Sequence, residues 1–170
     1  MPEFLGLRIS LGRLVLRGVL AFIAAFFTFA LLYLIPLDIA ELAGMGAPPQ
    51  LQPQVAQIVA GIIHPALPAL GLALTPAVFL AVLLRGSRVY GPLVIVESAL
   101  SFAYVFFAFQ GGTFTIDIPQ SLISSISALP LGIQLSIFLQ VNLAFIMILF
   151  LVPCALGIAK GALLTLRKRS

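Results

Sequence analysis

The chain has 170 residues, 62% of them hydrophobic and 8% charged, with nine Lys and Arg against five Asp and Glu for a net charge of +4. Soluble domains carry about 25% charged residues, so this composition excludes a fold that covers its surface with polar groups, and the lipid bilayer is the expected solvent. The few basic residues sit at the ends of apolar runs, which excludes a nucleic-acid surface.

Length fits a single membrane domain, 1–170. The first uncharged run, Gly18 to Ile35, is rich in Phe and Ala and spans about 27 Å as a helix. Arg8, Arg13 and Arg17 precede it, as in a signal peptide, but no Ala-x-Ala site follows and an uncleaved span is expected. An outer loop, 36–54, holds Gly44, Gly46, Pro48-Pro49 and three glutamines, and reads as irregular backbone. The second run, Val55 to Leu84, is long enough to tilt or bend. A short turn with Arg85 and Arg88 makes it a tight antiparallel hairpin with the third, Tyr90 to Gln110.

A second outer loop, 111–130, alternates over Thr113–Ile118 as a short strand would, and Gln120 to Ala128 suits a brief interfacial helix. The fourth run is Leu131 to Ala159, containing Gln134, Gln140 and Asn142. The expected fold class is all-α: a polytopic membrane protein, a four-transmembrane-helix bundle with a kinked second helix.

Lys and Arg concentrate in cytoplasmic segments. With four spans, all nine basic residues fall on one side, and no Lys or Arg lies inside a span. Asp38, Glu41 and Asp117 fall on the other. Both termini are therefore expected in the cytoplasm, with the protein in the cell membrane. Tyr33 and Tyr90 fall at span ends, where amphipathic rings favour the headgroups.

The second span carries His64, Pro65, Pro68 and Pro76. Proline removes a helical hydrogen bond and clashes with the carbonyl four residues back, so a bend is expected between Ile63 and Pro76. Such a break exposes carbonyls to a cavity in some transporters and only shapes packing in many bundles. Ala69, Ala73, Ala77 and Ala81 recur at spacing four, a small-residue stripe for packing within the bundle or against a partner.

Glu97 is the sharpest feature: a carboxyl near the middle of a span, where charge is expensive. Ser101 and Tyr104 follow on the same stripe, and Thr28, Thr75 and Asn142 fall at similar depth. A buried cluster of Glu97, Ser101, Tyr104, Asn142 and Thr75 is expected, either as interhelical glue or as a proton- or cation-linked site.

No catalytic set, phosphate loop or metal motif occurs. With one histidine per chain, bis-histidine haem and three-histidine zinc are ruled out within a monomer. The lone Cys154 lies in an apolar run. No cofactor is expected. The function expected is that of a non-catalytic integral membrane subunit or scaffold, packing against other membrane subunits or itself. The alternative is a small transporter or channel component using Glu97. A membrane enzyme fits least, since acid–base chemistry needs more than one isolated carboxylate.

Overall fold

The computed structural model describes residues 11–46, 49, 51–118 and 137–167. It is mostly helical, and four of its helices are long and apolar enough to cross a membrane. In chain order these elements are α1 (Leu11–Phe29), a π-helical turn (Ala30–Leu34), α2 (Ile35–Met45), α3 (Gln52–Ile62), α4 (Ala66–Leu83) and α5 (Tyr90–Ala108). A 3-10 turn (Gln110–Gly112), β1 (Thr113–Ile118), β2 (Ile137–Asn142) and α6 (Ala144–Arg167) complete the described fold.

Three boundaries differ from the sequence expectation. The first helix does not stop before Pro36. Pro36 has no N–H to give the Leu32 carbonyl, and in a regular helix its ring would collide with that carbonyl. The chain widens into the π turn over Ala30–Leu34 and continues as α2. The loop expected over 36–54 is therefore largely helical, with α2 and α3 packed together.

The second run is two helices. Ile63 is extended (φ −83°, ψ 115°) and His64 precedes Pro65, a position from which the α region is disfavoured. Pro68 falls in the first turn of α4, where no N–H is needed, and Pro76 lies inside α4 without ending it.

The fourth run is corrected most. Residues 131–136 and 120–128 lie outside the described residues. Ile137–Asn142 is not helical but pairs antiparallel with β1, from Thr113 opposite Asn142 to Ile118 opposite Ile137. A short apolar run does not distinguish strand from helix by periodicity; here the partner strand decides it. The fold is thus not purely α. The helix that follows extends to Arg167, well past Ala159, and takes Lys160 inside it.

The long helices pack in a row: α1 on α4, α4 on α5, α5 on α6. A closed four-helix bundle would join the ends of the row, but α1 and α6 are not among the helices in extensive contact. Arg17 bonds the Arg85 carbonyl, and Gly91 closes on Thr165, so the basic ends of α1, α4, α5 and α6 gather together. At the opposite end α2 packs on α3, and α3 touches β1 of the two-stranded ribbon.

The seam between α5 and α6 is made of small residues. A Cβ on Gly161 would sit 2.7 Å from Ile95 Cγ1 and 2.9 Å from the Gly91 carbonyl oxygen. Gly157 meets the Ser98 hydroxyl in the same way. Close backbone approach of this kind drives helix association in lipid. Gly161→Leu is expected to detach α6 from α5 and lower the detergent melting temperature. Gly18→Ala, where nothing lies within 4 Å, is expected to leave it unchanged. Equal melting temperatures for the two variants would overturn this account of the seam.

Candidate functional site

Glu97 lies on α5, half-buried. α5 and α6 run antiparallel, since Gly91 meets Gly161 and Thr165 while Ser98 meets Gly157. This register brings Lys160 into electrostatic interaction with Glu97. The sequence reading placed Lys160 beyond the fourth span and left Glu97 without an intrachain cation. The extension of α6 to Arg167 corrects the first point and puts the exposed Lys160 within electrostatic range of Glu97.

The cluster expected around Glu97 does not assemble as a unit. Asn142 is exposed at the end of β2, and its Oδ1 accepts from the Ala144 N–H at 2.9 Å. Asn142 thus lies just before α6, its side chain satisfying the first N–H of that helix, rather than sitting within it. Tyr104 is part-buried and donates its hydroxyl to the Leu32 carbonyl at 3.2 Å. Thr75 donates to the Gly71 carbonyl at 3.0 Å and Thr28 to the Ala24 carbonyl at 2.9 Å, each one turn back on its own helix. Neither Glu97 nor Ser101 makes a side-chain hydrogen bond among the described residues.

Leu32 is where three helices meet. Its carbonyl is the one that Pro36 cannot serve, and Tyr104 supplies a proton to it from α5. From α4, Gly71 approaches the same peptide so closely that a Cβ would overlap the Leu32 carbonyl and lie 3.0 Å from Tyr33 N.

The alanine stripe divides. Ala77 and Ala81 are buried while Ala69 and Ala73 are exposed. Spacing four advances about 40° round a helix at each step, so the stripe winds off the contact face. The face that packs holds Leu67, Gly71, Leu74, Ala77 and Ala81.

His64 and the prolines form the junction of α3 and α4. His64 Nδ1 accepts from the Ala66 N–H at 3.2 Å, satisfying a donor at the start of α4, and its ring lies 4.5 Å from that of Phe107. Gln110 Nε2 donates to the Ile62 carbonyl at the end of α3. Gln110 holds a left-handed backbone (φ 47°) to do so. A cavity of about 290 Å³ lies between His64, Phe106, Phe107 and Gln110. Among the described residues no group of three or more His, Cys, Asp and Glu is placed to hold a metal ion.

Sequence reasoning missed Pro36, Gly71 and the pair Gly157 and Gly161. The last two form a Gly-x-x-x-Gly spacing that was visible in the sequence and points to helix packing. Comparison with protein-family models, curated proteins and solved structures finds no match.

Tyr104→Phe is expected to destabilise the protein by about 1 kcal/mol, the net worth of one such hydrogen bond. Pro36→Ala supplies an N–H at the position that donates to the Leu32 carbonyl in a regular α-helix. The effect of Tyr104→Phe should therefore shrink in the Pro36→Ala background, read as a double-mutant cycle of detergent unfolding. Additive effects would refute the link between these residues.

Proposed function

We propose that the chain is a non-catalytic, multi-pass subunit or scaffold of the cell membrane that packs against partner membrane proteins or further copies of itself. The observation that carries this reading is the open row of helices. α1 and α6 each have one long neighbour, and their remaining faces present Leu, Ile, Val and Phe side chains, Phe145 at 81% exposure among them. The hydroxyls of Thr28, Thr75, Tyr104 and Thr165 all close on backbone carbonyls, which is the use made of polar groups in a structural assembly.

A second reading, a small transporter or channel component with a proton- or cation-linked site, is favoured by one feature. The Glu97 carboxyl, half-buried, forms no hydrogen bond among the described residues. Lys160 weighs the other way, because it brings a positive charge into electrostatic range of Glu97.

Purification in a mild detergent followed by native mass spectrometry is expected to show a stoichiometric complex larger than one chain. Glu97→Gln should leave that complex intact. A stable monomer, whose reconstituted proton or cation flux is abolished by Glu97→Gln, would instead establish the transport reading.

Both termini are proposed to be cytoplasmic, in keeping with the gathering of basic helix ends on one side. Single cysteines at Gln50 and Ser170 in a Cys154→Ala background test this. An impermeant thiol reagent on intact cells should label Gln50→Cys and spare Ser170→Cys; the reverse pattern overturns the orientation.

A further inference from the structure

A pocket of about 470 Å³ opens between the basic ends of α1 and α4, lined by Arg13, Arg17 and Arg85 together with Leu16, Leu20 and Val82. Arg13 and Arg17 stand four residues apart, hence on one face of α1, and Leu16 and Leu20 repeat that spacing beside them. Arg17 Nη1 donates to the Arg85 carbonyl at 2.8 Å, which tethers this guanidinium within the pocket lining. A guanidinium has five N–H donors, so four remain. The carbonyl at the end of α4 accounts for the position of Arg17. It does not account for Arg13 and Arg85, whose charges add to the same field.

No carboxylate of the described residues is placed to neutralise these charges. Asp38 lies about 37 Å from Arg13 along the helical stretch, and Glu41 further still. Asp117 belongs to β1 at the opposite end, and Glu97 lies two turns into α5, within electrostatic range of Lys160. Three like charges around one concavity repel one another until an anion enters. The apolar wall of Leu16, Leu20 and Val82 continues from the basic rim, so a suitable ligand has an anionic head joined to a hydrocarbon tail. Basic pockets between helices at the cytoplasmic face are matched to anionic lipid headgroups.

We propose that this pocket is a binding site for an anionic phospholipid, its phosphate held by Arg13, Arg17 and Arg85 and the start of an acyl chain laid along Leu16, Leu20 and Val82. The proposal rests on the chain lying in a bilayer but not on its being a subunit, so an isolated transporter would carry the site equally.

The test uses the full chain in a neutral detergent, titrated with phosphatidylglycerol, phosphatidylcholine or inorganic phosphate and followed by native mass spectrometry and melting temperature. Phosphatidylglycerol is expected to bind in one-to-one adducts and raise the melting temperature, and phosphatidylcholine to do neither. Each arginine near a lipid surface contributes about fivefold in affinity, so Arg13→Gln should weaken phosphatidylglycerol by about that factor and the Arg13→Gln/Arg17→Gln/Arg85→Gln variant by on the order of a hundredfold. Arg13 makes no hydrogen bond among the described residues. Its single variant is therefore expected to fold even where the triple one does not. Equal binding of the two lipids, or full retention of phosphatidylglycerol by Arg13→Gln, overturns the site. Inorganic phosphate binding as tightly as phosphatidylglycerol overturns the lipid assignment and leaves a free-anion site. Failure to find a larger complex would bear on the subunit reading alone.

Discussion

The Leu32 carbonyl is the constraint from which the packing of this protein can be followed. In a low-dielectric surrounding, every backbone polar group needs a partner from within the protein. Pro36 withholds the usual one, and the π turn over Ala30–Leu34 is the local adjustment. Tyr104 reaches across from α5 to bond the carbonyl, and α4 must pass between at a position without a side chain, Gly71. A single proline thus ties α1, α4 and α5 at one level. α6 joins the other face of α5 through Gly157 and Gly161, and the row is complete.

The same requirement governs the polar residues along these helices. Hydroxyls that looked like candidates for a transport path mostly close on carbonyls one turn back or one helix away. Ser101 is the exception among them, and the Glu97 carboxyl likewise forms no hydrogen bond among the described residues.

The two ends of the row differ in kind. One gathers arginines around a pocket with an apolar wall. The other is a compact cap of α2, α3 and the β1–β2 ribbon, in which His64 and Gln110 satisfy the backbone groups freed where α3 gives way to α4. Two paired strands are marginal by themselves, and α3 lies against β1 to support them.

Composition and periodicity determined the four long apolar helices, because hydrophobic length is a local property that needs no partner to be read. The alternation in Thr113–Ile118 likewise marked an extended segment, which is β1. What the sequence left open depended on neighbours. Pro36 looked like a helix end because nothing local shows that a π turn will carry the helix past it or that Tyr104 will bond the carbonyl four residues back. Ile137–Asn142 looked like the start of a span because its strand partner lies some twenty residues earlier along the chain. The cluster drawn around Glu97 failed with it, since pairing to β1 takes Asn142 out of the helix. The alanine stripe misled for a geometric reason: a spacing of four is only close to the helical repeat, and the contact face follows the repeat. Which face of each helix is covered, and by what, was decided only by the tertiary structure, because uniformly apolar helices carry almost no pattern that tells one side from another.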